Sequence, residues 1–178
     1  FCSCQRSEYK KIVEHELNRG VRYDSLFLGI HLGMGKKDFY THCWELNKQK
    51  MIMQGPSNLS VQYFLDSTQM KAPAYMWFYP DFQNDSIAVM PVEFSYQSWA
   101  PWTRELAVDT LLLDVKRLFE EWYGNGFIFL ENKDQTKSVW VKVDGNRRIR
   151  LFKKNESTVR ADFTDLLKLN NTSNATGD

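Results

Sequence analysis

The residues with the strongest intrinsic chemistry in this chain are three histidines and three cysteines. His42 and Cys43 are neighbours in a helical stretch. Their side chains therefore diverge by about 100° and do not by themselves make a nucleophile–base pair. His15 and His31 have no partner at ligand spacing, so no metal site is expected. The plain reading of each histidine is a surface or half-buried residue, and of Cys43 an inert core thiol. The carboxylates are scattered. Glu14, Glu16, Glu120 and Glu121 fall on predicted helices, where solvated faces account for them. A glycosidase-type pair is a spatial feature that sequence alone leaves open. Gly33-Met34-Gly35-Lys36-Lys37 sets glycine and lysine near a helix start but lacks the spacing that wraps phosphates. The sequence predicts no catalytic residue, no metal and no cofactor.

Two groups of residues offer binding chemistry instead. One is the aromatic run Tyr75-Met76-Trp77-Phe78-Tyr79, with Phe82, Trp99 and Trp102 nearby. Such a run either fills a core or forms an exposed platform for a protein or a sugar. The other comes from the hairpin over 139–153. A two-residue loop at Gly145-Asn146 would pair Val143 with Arg148 and mix apolar with basic residues on each face. An odd-length loop pairs Val143 with Ile149 and Val141 with Leu151. Because register follows the hydrophobic pattern, the sequence predicts a connection of three or five residues with a bulge. The opposite face then carries Trp140, Lys142, Arg148, Arg150, Phe152 and Lys154. That face is either solvated protection against edge aggregation or a surface for an anionic partner.

These groups must be positioned by helices and strands that read in one order twice. Ser7 to Gly20 reads as a short helix capped by Ser7, with Tyr9, Ile12, Val13 and Leu17 on one stripe. Tyr23 to Ile30 reads as extended chain. Lys36 to Asn47 reads as a helix burying Phe39, Tyr40, Cys43 and Trp44. A turn at Gly55–Asn58 and strands at 60–65, 75–79 and 87–96 follow, with Pro91 marking an edge or a bulge. Thr103 caps a second helix over 104–123, whose buried stripe is Leu106, Leu111, Val115, Leu118, Phe119 and Trp122 and which ends at Gly124 to Gly126. Strands at 127–130, 138–143, 149–153 and 159–163 come after it. The expected fold is α+β, made of two similar units. Each is a helix packed on an antiparallel sheet of three to four strands, and an N-terminal helix is added. The expected divisions are 1–22, a tether and short helix; 23–98 and 99–168, the two units; and 169–178, a disordered Asn/Thr/Ser-rich tail.

Composition narrows the function. The chain has 178 residues, enough for a core without disulfide staples. Its formal charge is +1, so it has no global field for nucleic acid. No apolar run approaches the roughly 20 residues of a membrane span. Phe1-Cys2-Ser3-Cys4 is like the end of a bacterial lipobox. On that reading Cys4 carries a lipid; on the other it is an ordinary trimmed start.

Leu28-Gly29-Ile30-His31-Leu32-Gly33-Met34-Gly35-Lys36-Lys37-Asp38-Phe39 resembles the start of the small outer-membrane lipoproteins of the SmpA/OmlA (BamE) family. There an apolar segment leads into Gly-Met, a few polar residues and an acid, and then an apolar-faced helix. Gly55-Pro56 is similar to that family's turn after the helix. Gly35 stands where the family has Ser or Thr. The tandem helix-then-strands order is similar to the β-lactamase-inhibitor-protein-like fold. The resemblance implies a non-catalytic protein of the bacterial envelope that binds another protein through its sheet.

The expectation is therefore a non-enzymatic protein of the bacterial envelope (periplasm or outer membrane) or of the secreted fraction. Its partner is a protein or an envelope polysaccharide, met through a sheet face. Carbohydrate binding through exposed tryptophans is the alternative, and a small hydrolase the third reading. The candidate binding residues are Trp140, Lys142, Arg148, Arg150, Phe152, Trp77, Trp99 and Trp102.

Overall fold

The structure, a computed structural model, describes residues 2–56, 59–132 and 135–169, with side chains from residue 8 onward. Helices α1 (Cys2–Asn18) and α2 (Lys36–Lys48) lead into strands β1 (Ile52–Gln54), β2 (Val61–Leu65), β3 (Ala74–Phe78), β4 (Asp81–Gln83) and β5 (Ser86–Tyr96). A 3₁₀ turn over Arg104–Leu106 and helix α3 (Val108–Tyr123) follow. Strands β6 (Ile128–Glu131), β7 (Ser138–Asp144), β8 (Arg147–Lys153) and β9 (Val159–Asp165) come after them. The fold is α+β, as expected. Its nine strands form one antiparallel sheet rather than two small ones. The strand order is β1-β2-β3-β5-β9-β8-β7-β6, and β4 pairs with β5 outside that path. Two meanders thus meet through their last strands, β5 and β9.

Helix α3 forms because Leu111, Val115, Leu118 and Phe119 recur at three and four, and all four are buried. It lies on β5, β8 and β9. There Phe119 meets the rings of Phe94, Trp122, Tyr123 and Phe163 with centroids no more than 6.0 Å apart. Thr103 does not cap α3: the 3₁₀ turn intervenes, and Ala107 precedes the helix without a side-chain cap. Helix α2 contacts the sheet at its edge strand β1. It buries only Phe39 and Leu46, with Cys43 half-buried, because an edge position needs a narrow stripe. Tyr40 and Trp44, expected inside, are exposed. Helix α1 starts well before Ser7, so Ser7 is interior to it and not its cap. Residues 24–32 are not extended. Leu28 and Gly29 both take positive φ, and Ser25 bridges back to His31.

The β7–β8 hairpin departs from expectation in an instructive way. Its loop is the two residues Gly145-Asn146, so Val143 faces Arg148 and Lys142 faces Ile149. Gly145 has φ 51°, which the first central position of a II′ turn requires. The mixed pairing is stable because β7 is covered on both faces. Ile149 and Leu151 enter the main core under α3. Val141 and Val143 join Leu166 in a second cluster, against which Tyr9, Ile12, Val13 and Leu17 of α1 pack. The two apolar stripes serve different helices and have no need to share a face.

Pro91 is not on an edge strand: on one side it pairs with Asp162 in the regular β5–β9 ladder. It lies between the point where β3 ends (Phe78 opposite Val92) and the point where β4 begins (Asp81 opposite Val89). The neighbouring ladder is interrupted there, and the β4–β5 register shifts between Asp81 and Phe82. The tail from 170 to 178 and part of the Gly55–Asn58 turn lie outside the described residues.

Candidate functional site

The sheet has one face covered by α2, the 24–34 segment and α3. On the other face α1 contacts β6 and β7. No described helix or strand packs over β2, β3, β5 and β9 there, so that part of the sheet is open. Period-two alternation puts Leu65, Met76, Phe78, Val92, Phe94, Ala161 and Phe163 in the core. The intervening residues stand on the open face in register. One row crosses six strands as Met53, Gln62, Trp77, Glu93, Arg160 and Phe152. Beside it run Phe64, Tyr75 and Ser95 on one flank, and Pro91, Asp162 and Arg150 on the other.

The Tyr75 and Trp77 rings stack with centroids 5.7 Å apart, and the Trp77 indole N–H donates to Gln62 Oε1 at 2.7 Å. Gln97 donates to the Tyr75 hydroxyl at 3.1 Å. Phe64 sits against Tyr75 at 5.9 Å. Lys154 Nζ donates to Glu93 Oε1 at 2.6 Å, and Arg160 donates to Asp162 Oδ1 at 2.8 Å. The Arg150 guanidinium lies 5.7 Å from the Phe152 ring centroid and makes no ion pair among the described residues. Arg148 donates to the Tyr9 hydroxyl at 3.2 Å, which ties this face to α1. A shallow groove of about 450 Å³ opens between Trp77, Pro91, Glu93 and Lys154, with Pro56 and Ser60 on its far side.

The sequence-predicted residues divide. Trp77, Arg148, Arg150 and Phe152 stand on this one face. Trp140 and Lys142 do not, because the two-residue loop turns them toward α3. The Trp140 ring lies 4.8 Å from Lys116 Nζ, and Lys142 is buried and paired with Asp144. Trp99 packs against the main core, and Trp102 is 83% exposed in the connection before α3. Of the four tryptophans, Trp77 is the one that a strand places on the open face. Glu93 and Arg160 were not among the predicted residues. Val92-Glu93-Phe94 and Val159-Arg160-Ala161 carry the alternation that marks them.

His42 Nε2 lies 2.6 Å from the Leu28 carbonyl oxygen, and His31 Nδ1 lies 3.0 Å from that of Leu32. Burial pushes the Cys43 thiol up to about 11. Tyr79 is pushed up to about 12, first by the hydroxyl of Tyr40 at 2.6 Å and then by burial. Among the described residues no three His, Cys, Asp or Glu side chains are grouped to hold a metal ion. The side chains of Cys2 and Cys4 lie outside the described ones. An apolar cavity of about 290 Å³ sits on the covered face, lined by Leu26, Phe27, Leu28, Tyr63, Met76 and Trp122. No helix among the described residues is long and apolar enough to cross a membrane. Comparison with protein-family models, with curated proteins and with solved structures gives no match to this chain.

Proposed function

We propose that this chain is a non-enzymatic binding protein that docks a protein partner on the open face of its sheet. The observation that carries this reading is the in-register row from Met53 through Trp77 to Phe152. No helix among the described residues lies over it, although apolar and aromatic side chains make up much of it. Met53 and Phe64 are exposed, and Tyr75, Trp77 and Phe152 are half-buried. Aromatic and arginine side chains together on an uncovered surface are the composition of protein contacts. The bacterial envelope or the secreted fraction is the setting in this reading, and the lipobox-like run through Cys4 supports it. Labelling of expressing cells with an alkyne palmitate analogue should mark the native chain and not a Cys4→Ser variant.

The fold is further read as two like units, each a helix followed by a meander. Its support is that each meander follows a helix and that the meanders join through their last strands. Against it, α2 sits at the sheet edge whereas α3 lies across the centre.

The test of the docking face is position-specific photo-crosslinking in cells. A benzoylphenylalanine at Phe64 or Phe152 should give one discrete protein adduct. The same residue at Leu113, exposed on the outer side of α3, should not. Equal adducts from both sides of the molecule would sink the reading.

A further inference from the structure

The chemistry of the partner can be read from the charges on the open face, and the inference rests on that face being the docking surface. Arg148, Arg150, Lys154 and Arg160 stand there against three acids, Glu93, Asp162 and, opposite Val89, Asp81, in a chain whose total formal charge is only +1. Glu93 and Asp162 are engaged. Glu93 takes Lys154 at 2.6 Å with Arg160 at 3.7 Å, and Asp162 takes Arg160 at 2.8 Å. Arg150 is opposite Asp162 in the ladder, yet that carboxylate is turned to Arg160. The Arg150 fork is therefore left with the Phe152 ring and no carboxylate among the described residues.

We propose that the partner presents an acidic segment. A carboxylate of that segment meets Arg150, and an apolar or aromatic side chain enters the groove beside Trp77. A guanidinium with its donors unspent accepts a carboxylate in bidentate geometry, and the adjacent ring limits the water that competes for it. The other end of the face is apolar and grooved, so it selects a side chain rather than a charge. Trp77 and Arg150 lie on β3 and β8, three strand steps apart, so about 14 Å separates their strands at the usual spacing. An extended segment spans that distance in roughly four residues. A polyanion is a poorer fit. The excess of positive charge is small, Lys154 and Arg160 are already paired, and half of the row is apolar.

The experiment is selection from a randomised peptide-display library on the full chain, with Arg150→Gln and Trp77→Phe chains as parallel baits. The expected outcome is enrichment of Asp or Glu about four residues from an aromatic or large aliphatic residue. A fluorescein-labelled peptide of the winning sequence should lose about tenfold affinity with Arg150→Gln and less with Arg150→Lys. Asp162→Asn should leave its affinity unchanged or raise it. Winners that are neutral or basic, weakened by Trp77→Phe but not by Arg150→Gln, would overturn the acidic partner while leaving the docking face standing. Winners indifferent to both variants, or no enrichment over a blank surface, would overturn the face as well. Displacement of the winning peptide by soluble polygalacturonate as readily as by unlabelled peptide would show that a polyanion, not a protein segment, is the ligand. Thermal melts of each variant establish that the fold is kept.

Discussion

Asn146 Oδ1 accepts the backbone N–H of Tyr23 at 2.7 Å, joining residues that are 123 positions apart. The same side chain donates to Asp24 Oδ1 at 2.9 Å and to Asp165 Oδ1 at 3.2 Å. The main-chain carbonyl of Asn146 takes the N–H of Leu166 at 2.8 Å. Asn146 is 1% exposed, so these bonds have no water to replace them. The tip of the β7–β8 hairpin is in this way fastened to the chain after α1 and to the end of β9. Asn146→Ala should lower unfolding free energy by about 2–4 kcal/mol, because several buried groups lose a partner at once. Urea titration reads the change directly. A loss under about 0.5 kcal/mol, the scale of an ordinary surface substitution, would mean that the network does not hold the tip.

Gly145, the other loop residue, is held by a close approach. A Cβ added there would fall 2.0 Å from the Val21 carbonyl oxygen, and its φ is 51°. Its N–H donates to Glu16 Oε2 at 2.9 Å. Gly145→Ala should destabilise by about 2–4 kcal/mol, since backbone must move in addition to the left-handed strain. Gly124 isolates the strain alone: its φ is 82°, but nothing lies within 4 Å of an added Cβ. Gly124→Ala should lower stability by about 1–2 kcal/mol. Equal losses in the two variants would remove the close approach as a factor.

The loop also shows where sequence reading stops. Helix α3 was legible because one stripe faces one core, and its residues Leu111, Val115, Leu118 and Phe119 repeat at helical spacing. Most strands were legible from alternation. The hairpin register was not, because Val141 and Ile149 answer to different helices on opposite faces. What decides the loop length is Asn146, whose partners Tyr23, Asp24, Asp165 and Leu166 all lie outside the hairpin. The misplacement of Trp140 and Lys142 follows from that one register step. Trp77, Arg150 and Phe152 could be singled out because aromatic and basic side chains stand out by type, and the strands place them on one face. Glu93 and Arg160 complete the row but have no chemistry that distinguishes them before the strands are paired.

The polar fastening makes acid stability predictable. The Gly145 N–H holds the Glu16 carboxyl below its usual 4.5, with Arg19 helping against some burial. Burial alone would raise Asp24, but hydrogen bonds from Arg22 and Asn146 outweigh it and hold the group below 3.8. A depressed carboxylate contributes stability above its unfolded pKa, and that contribution is lost as pH falls through the folded value. The melting temperature should therefore hold from neutral pH to about 5 and fall below about 4. Asp24→Asn should lower the melting temperature at neutral pH and make the acid-side fall shallower than in the native chain. Parallel native and variant curves across that range would contradict this assignment.

Cys43 gives a test of burial on the edge-mounted helix α2. Its thiol is half-buried, and burial pushes it up to about 11. In a Cys2→Ser/Cys4→Ser chain it is the one remaining thiol of three. At pH 8 about one part in a thousand is then thiolate, about a hundredfold less than for an unperturbed thiol. The more basic thiolate is the better nucleophile, which recovers about a factor of ten. Reaction with a disulfide reagent should be about tenfold slower in the folded chain than in guanidinium, before any steric hindrance is added. The folded rate should also keep rising past pH 9, where the unfolded rate levels off. A folded rate equal to the unfolded one, levelling at the same pH, would show that α2 leaves Cys43 to solvent. The helix would then hold the edge of the sheet through Phe39 and Leu46 alone.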